Sequence, residues 1–142
     1  FRLIQRHLRV FWKREILMSA MLLSIKPQYA EMIIEGTKKY EFRTRKCRDD
    51  IRKIIFYATA PQSQVVGEAE IEDVLVGPPT EIWKKTKQGS GIPVSFFREY
   101  YKNKEVAVAY KLKNVKAYKE PKTLKDYGIT HVPQSFIYLN ES

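Results

Sequence analysis

The chain has 142 residues, the length of one ordinary domain, and its net charge of +10 is the strongest signal in its composition. Its hydrophobic content of 44% is typical of a globular domain, and no apolar run approaches the roughly 20 residues that a membrane-spanning helix needs. The single cysteine, Cys47, excludes an intramolecular disulfide, and His7 and His131 lie too far apart in sequence to suggest a zinc site. We therefore predict a cytoplasmic protein without a membrane span, a metal or another cofactor.

The basic excess favours a polyanionic partner. Lysines and arginines alternate along the chain with tyrosines and phenylalanines, whose rings can stack on bases. We therefore favour nucleic acid as the partner. An anionic membrane surface is a less common partner of basic proteins, and solubility alone is the alternative explanation of the charge.

Residues 1–17, FRLIQRHLRVFWKREIL, differ in composition from the rest of the chain. Five basic residues stand against one acidic residue, and apolar residues recur at helical spacing, which predicts a basic amphipathic helix. We assign residues 1–20 to this helix or extension and residues 21–142 to the domain. Two alternatives stay open for the helix. It packs its apolar stripe on the domain, or it is an arm for nucleic acid, a membrane surface or a protein partner.

The stretch from Leu22 to Arg43 predicts a strand, a helix and a second strand. A short apolar strand, Leu22–Ile25, leads into a helix that starts at Pro27 and ends at Gly36, with one apolar side formed by Tyr29, Ile33 and Ile34. From residue 38 to residue 43 polar and aromatic residues alternate. Regular alternation puts Tyr40 and Phe42 in the core and Lys39, Glu41 and Arg43 on the other face. Lys38 joins that charged face only through a twist or a bulge just after Gly36.

The next two strands are separated by turn residues. Residues 44–53 read as a charged loop, and Ile54–Ala58 as a strand. Val65–Val76 follows as a longer strand, in which Gly67 suggests a bulge or the close approach of another backbone. Glutamates at every second position could bind a metal, but such a row is more often a solvated edge or a set of partners for lysines: Glu68, Glu70 and Glu72.

Helices and strands of the second half complete an α+β pattern. A helix is predicted from Thr80, as N-cap, to about Lys87, and a second helix over Val94–Tyr101 whose aromatic stripe we assign to the core. Glu105–Tyr118 alternates as a strand, and Pro133–Leu139 forms the last strand. Helices inserted among mainly antiparallel strands predict a small barrel rather than a doubly wound sheet.

Several of these residues carry a resemblance. The chain from Met21 to Leu139 resembles the ASCH domain, a branch of the PUA-like superfamily. The resemblance rests on Ser24-x-Lys26-Pro27, Gly36-x-Lys38-x-x-Glu41-x-Arg43, the Tyr57 strand, Trp83, Gly91-Ile92-x4-Phe97-x2-Tyr100 and Pro133-Gln134-Ser135-Phe136. It implies a small mixed β-barrel of five to six strands with flanking helices, and a cleft in which the signature strand faces RNA or a nucleotide. It also implies a link to translation or RNA modification.

The resemblance also suggests which residues act. Binding of a base or modified nucleoside is assigned to Lys38, Glu41 and Arg43, with Lys26 near the helix start, Tyr57 as a stacking residue, and Gln134 and Ser135 on the closing strand.

The alternative is a hydrolase acting on N4-acylated cytidine or on RNA, as an amidohydrolase or a ribonuclease, with Lys38 and Glu41 as the reacting pair. The acylcytidine amidohydrolases of the family carry a threonine where this chain has Glu41, and a further glutamate for which Glu99 lies in the comparable region. This departure favours binding over catalysis, and the enzyme question stays open.

Overall fold

Six strands form one mixed sheet with three α-helices in a computed structural model that describes residues 20–139. The predicted N-terminal helix lies outside these residues. No helix within the described range is long and apolar enough to cross a membrane. In chain order the elements are β1 Ala20–Ile25, α1 Pro27–Glu35, β2 Tyr40–Arg43, β3 Lys53–Ala58, β4 Gln64–Gly77, α2 Pro79–Thr86, α3 Val94–Tyr100, β5 Ala107–Lys122 and β6 Phe136–Tyr138. Short 3₁₀ turns cover Lys87–Gly89 and Leu124–Tyr127.

The strand order is β2-β5-β4-β3-β1-β6, and only the pair β1–β3 is parallel among the described strands. Other side chains cover both faces of this pair of strands. The sequences of β1, AMLLSI, and β3, KIIFYA, are therefore nearly continuous apolar runs. The outer strands β2 and β6 do not hydrogen-bond to each other in the described chain, so the sheet is a half-barrel. The prediction of a mixed sheet with short flanking helices is confirmed, but the backbone does not close the barrel.

Three apolar clusters hold the sheet. The largest packs α1 and the 44–52 loop onto one face of β1, β3, β4 and β5. A second covers β1 and β3 from the opposite face and includes side chains from the segment between β5 and β6. The third packs α2 and α3 against β2 and the start of β5. Together these clusters fix β2 and α3 relative to β1, which positions the cleft on the open side of the half-barrel.

The long strands β4 and β5 pair along most of their length, with several register shifts. The predicted close approach at Gly67 is confirmed, because a Cβ there would lie 2.5 Å from the carbonyl oxygen of Lys116. The glutamates of β4 meet partners on neighbouring strands: Lys53 with Glu68 at 2.9 Å, Lys111 with Glu72 at 2.8 Å, and Asn114 with Glu70.

The outer side of β5 is paired over only a short stretch. Strand β2 covers Val108–Lys111, and the N–H of Leu112 donates to the carbonyl of Lys39 at 3.0 Å. Beyond Leu112 no other described strand hydrogen-bonds to this side of β5. Asn114, in the same stretch, has a φ of 50°, which interrupts the regular pleat.

Some predicted boundaries are wrong. Helix α2 begins at Pro79 rather than after Thr80, because Pro78 already has extended angles and proline suits the first helical position. Ile34, predicted on the apolar side of α1, is 37% exposed. The last strand, β6, is shorter than predicted, and β5 continues to Lys122 instead of ending at Tyr118. The end of α1 at Gly36 is confirmed, and Gly36 has the left-handed φ of 89° that glycine adopts readily.

Candidate functional site

A cleft of about 380 Å³ opens on the uncovered side of the half-barrel, between β2 and β1. The end of β1 and the start of α1 form one wall, β2 forms the floor, and α3 stands at the mouth. The segment before β6 contributes Pro133 and Gln134. Its volume lies within the range of pockets that hold small organic ligands.

Lys38 forms part of the floor although it is a lysine with only 2% of its surface exposed. Its Nζ donates a hydrogen bond to the carbonyl of Ser90 at 2.7 Å and lies 4.0 Å from Oε1 of Glu41. It also lies 4.9 Å from the ring centroid of Phe42. Burial lowers the pKa of the Lys38 ammonium below its usual range, while Glu41 acts to raise it.

The loop that carries Ser90 is shaped to receive this side chain. Gly91 has a φ of 70°, and a Cβ at this position would lie 2.7 Å from Cβ of Lys38. Only glycine combines this backbone conformation with so close an approach. Lys38 precedes the first paired residue of β2, Tyr40, so the alternation of the strand does not control its direction. The predicted irregularity after Gly36 therefore brings Lys38 to the charged face.

Glu41 and Arg43 form an ion pair beside Lys38. Arg43 Nη2 donates to Oε2 of Glu41 at 2.9 Å, and the backbone N–H of Phe42 donates to Oε1 of Glu41 at 3.2 Å. Glu41 is 5% exposed, so its carboxylate lies between two cations and largely out of water. Opposite charges arranged in this way stabilise the carboxylate as a fixed acceptor of hydrogen bonds.

Arg43 also connects β2 to the other side of the cleft. Its Nη2 donates to the carbonyl of Ser24 in β1 at 2.7 Å, and its Nη1 lies 3.4 Å from Oγ of Ser135. Ser24 in turn donates from Oγ to the carbonyl of Pro133 at 2.7 Å. A side chain therefore bridges the open side of the half-barrel, where the strands make no backbone ladder.

Aromatic side chains line the mouth of the cleft. Tyr29 and Phe96 meet edge to face with ring centroids 6.0 Å apart, and Tyr100 lies nearby on α3. Burial raises the pKa of the Tyr29 and Tyr100 hydroxyls. Glu41 adds to the rise at both residues, whereas Arg43 opposes it at Tyr100. The sequence assigned the aromatic stripe of α3 to the core, which holds for Phe97 and Tyr101 only.

Five of the seven predicted binding residues line the cleft: Lys26, Lys38, Glu41, Arg43 and Gln134. Ser135 borders it through its contact with Arg43. Tyr57, however, is 4% exposed and packs in the apolar cluster on the opposite face of the sheet. The regular pleat of β3 sends Tyr57 to that face together with Ile55, so it is not carried forward as a stacking residue.

Two further residues fall outside the cleft. Lys39, which strict alternation would put beside Glu41, is exposed, and its backbone bonds to Gly89 and Leu112. Glu99, the glutamate comparable to that of the amidohydrolases, is exposed and does not line the cleft. Within residues 20–139 no group of three or more His, Cys, Asp or Glu side chains is arranged to hold a metal ion.

The mixed half-barrel, with three flanking helices and a cleft at its open side, is of the PUA-like type. A family model, the ASCH domain, matches residues 23–116, and the chain belongs to the ASCH domain family. The crystal structure of ASCH from Zymomonas mobilis superposes with a TM-score of 0.80 at 26% identity, covering 87% of this chain and 90% of that chain.

Curated proteins that are similar in sequence include the following two. The ASCH domain-containing ribonuclease of Zymomonas mobilis subsp. mobilis is 29% identical over 94 residues, which are 66% of this chain and 64% of that protein. The large ribosomal subunit protein uL22 of Ureaplasma parvum serovar 3 is 30% identical over 128 residues, which are 89% of this chain. The chain spans only 41% of the length of that relative.

Proposed function

We propose that this domain binds RNA by taking one unpaired nucleotide into the cleft. The observation that carries the proposal is the row of buried Lys38, buried Glu41 and partly buried Arg43 at the floor of a cleft whose mouth is aromatic. A nucleotide matches this arrangement, because a base offers flat faces for aromatic contact and polar edges for hydrogen bonds. The name of the similar ASCH domain-containing ribonuclease supports RNA as the ligand class.

Glu41 and Lys38 are assigned to the edge of the base. A carboxylate has about four lone-pair directions, and two are occupied by the N–H groups of Phe42 and Arg43. Glu41 can therefore accept a further hydrogen bond from an exocyclic amine or a ring N–H. The ammonium of Lys38 has three N–H donors, of which one serves Ser90, so it can donate to a carbonyl or ring nitrogen.

Lys26 and Gln134 are assigned to the outer part of the ligand. Both line the cleft, and Gln134 is exposed. Arg43 is a positioning residue in this scheme, because its guanidinium is engaged with Ser24 and Glu41. This refines the expectation that Arg43 contacts the ligand directly.

A structural ion pair is the competing explanation of the charged floor. Three charged side chains removed from water lose much of their hydration, and buried ion pairs often stabilise a fold less than apolar side chains of similar size would. Their position at the end of an open cleft favours binding over a purely structural role.

The proposal is tested with a short single-stranded RNA and fluorescence anisotropy at moderate salt. The variants Lys26→Gln and Gln134→Ala should each bind the RNA more weakly, because both side chains line the cleft and neither holds the fold together. For Lys26→Gln the slope of log K against log salt should fall by about 0.7, the value for one phosphate contact to a single strand. The matched control is Lys119→Gln, an exposed lysine on β5. Undetectable binding by the unaltered protein would contradict the proposal.

A second candidate is RNA cleavage, favoured by the ribonuclease among the similar proteins. Glu41 would take the proton of a 2′-hydroxyl as its oxygen attacks the adjacent phosphorus, giving a 2′,3′-cyclic phosphate. The 5′-oxygen that leaves must gain a proton, which the buried Lys38 ammonium can supply because burial lowers its pKa. Because Glu41 is held by Arg43 and Phe42, we rank binding first.

Incubation with end-labelled RNA separates the two candidates. Cleavage should produce fragments with cyclic phosphate ends, should stop when the 2′-hydroxyls are replaced by hydrogen, and should be lost in Lys38→Met. If the RNA stays intact with the protein in excess, the cleavage candidate is rejected and binding remains the proposed function. The amidohydrolase alternative has no supporting contact, since Glu99 lies outside the cleft. Links to translation or RNA modification stay predictions.

A further inference from the structure

Helix α3 divides its four aromatic residues between the core and the cleft mouth. Phe97 and Tyr101 are 2% and 3% exposed, whereas Phe96 and Tyr100 are 39% and 40% exposed. Residues four apart in a helix lie on one face, so Phe96 and Tyr100 present neighbouring rings on the same side. Large apolar side chains left in water beside a cleft indicate an interaction surface.

The two exposed rings are held in place without a ligand. Tyr100 packs against Tyr101 with centroids 4.8 Å apart, and the hydroxyl of Tyr101 donates to the carbonyl of Arg43 at 2.8 Å. Phe96 is held by Tyr29 across the cleft mouth. Because the rings are fixed in advance, a ligand that stacks on them loses little free energy in ordering the protein.

A cation accompanies the rings. The Nζ of Lys26 lies 6.0 Å from the centroid of Phe96. A flat ring beside an ammonium matches the two parts of a nucleotide, because the base can stack on the ring while its phosphate meets the cation. A protein partner with an apolar side chain would use the rings but would gain nothing specific from the lysine.

We propose that Phe96 and Tyr100 form a stacking platform for the unpaired base next to the nucleotide in the cleft. The ligand is then a single strand with at least two consecutive unpaired nucleotides, rather than a mononucleotide or a duplex. Duplex RNA keeps its bases stacked on each other, so their faces are not available to the rings. This inference rests on the proposed function and names the substrate class of the same site.

The test compares three probes by anisotropy or calorimetry: a mixture of nucleoside 5′-monophosphates, a single-stranded tetranucleotide of mixed sequence, and a blunt hairpin. Stacking on an aromatic ring changes affinity by about 5- to 160-fold per base. The tetranucleotide should therefore bind at least about 5-fold more tightly than the monophosphates and more tightly than the hairpin.

Variants at Phe96 and Tyr100 distinguish affinity gained by stacking on a ring from affinity gained by burying apolar surface of any shape. Phe96→Leu and Tyr100→Leu should reduce the ratio of tetranucleotide to monophosphate affinity towards one, whereas Phe96→Trp and Tyr100→Phe should keep it. Val115→Ala is the control, since Val115 is 38% exposed and lies on β5 away from the cleft. Unchanged melting temperatures establish that all the variants fold.

The outcomes distinguish the two proposals. Binding of monophosphates with no gain for the tetranucleotide overturns the platform and leaves the nucleotide cleft intact. A tetranucleotide gain that survives both leucine variants also overturns the platform. Failure of every RNA probe to bind overturns both proposals.

Discussion

Replacing Glu41 with glutamine tests whether the charged floor depends on its carboxylate. Glu41 lies between the ammonium of Lys38, 4.0 Å away, and the guanidinium of Arg43, 2.9 Å away. Glutamine keeps an oxygen for the Phe42 N–H but leaves two cations near each other, both largely buried at the floor of the cleft. Removing one partner from a buried ion pair costs about 3–5 kcal/mol, and the retained hydrogen bond places Glu41→Gln near the lower end, about 3 kcal/mol.

The loss should depend on pH in a direction set by Lys38. Burial and Arg43 lower the pKa of Lys38, and Glu41 raises it, so removing Glu41 lowers this pKa further. A lysine whose folded pKa lies below its unfolded value of about 10.4 releases its proton first in the folded state. The free energy of unfolding then rises with pH between the two pKa values. The deficit of Glu41→Gln relative to the unaltered protein should therefore shrink from pH 7 towards pH 9.

Urea unfolding at pH 7, 8 and 9, followed by tryptophan fluorescence, measures both effects. Near neutral pH a loss of about 3 kcal/mol corresponds to about 10 °C in melting temperature for a domain of this size. Adding Lys38→Met to Glu41→Gln should recover much of the loss, because it removes the stranded cation. If Glu41→Gln is within about 0.5 kcal/mol of the unaltered protein, the range of neutral surface changes, the reasoning is refuted. A deficit that neither pH nor Lys38→Met relieves would refute it too.

Two further substitutions test the supports of the site. Gly91→Ala should lower the free energy of unfolding, measured with urea, more than Gly36→Ala does. Both glycines have a positive φ, at which alanine costs about 1 kcal/mol. Only at Gly91 would the new Cβ lie 2.7 Å from Cβ of Lys38, which adds about 1–3 kcal/mol of overpacking. Equal losses in the two variants would contradict this prediction, because they would show that the loop carrying Gly91 moves away from Lys38 at no cost. Tyr101→Phe should cost about 1 kcal/mol near neutral pH, because the Tyr101 hydroxyl no longer donates to the carbonyl of Arg43. Burial raises the pKa of Tyr101, so the unaltered protein should lose stability as pH rises above about 10, and Tyr101→Phe should lose less. Parallel pH profiles for the two proteins would contradict this assignment.

Local patterns in the sequence were enough to predict the first part of the fold. The Pro27 start and Gly36 end of α1, the direction of Glu41 towards the cleft and the close approach at Gly67 each depend on a few neighbouring residues. Period-two alternation and the conformational preferences of proline and glycine act over such short distances. These features were predicted correctly for that reason.

Features that depend on strand pairing were not predictable in this way. Tyr57 is buried because β3 pairs in parallel with β1 and both faces of the pair are covered, which no short window of sequence reveals. Likewise, the exposure of Phe96 and Tyr100 depends on how α3 sits on β2 and β5. The bridge from Arg43 to Ser24 joins residues 19 positions apart across strands that do not pair. Helical spacing shows that residues share a face, but not which face meets the core.

The unpaired outer side of β5 suggests a second role for some of the lysines, apart from binding a ligand. Free strand edges recruit other chains into intermolecular sheets, and lysines, prolines and irregular residues on an edge oppose such association. Beyond Leu112 this edge carries exposed Lys113, Lys116 and Lys119, with Asn114 bending the backbone and Pro121 lacking an N–H. We infer that these lysines help to keep the domain from aggregating. Apolar substitutions of these lysines should then reduce solubility while leaving the cleft untouched.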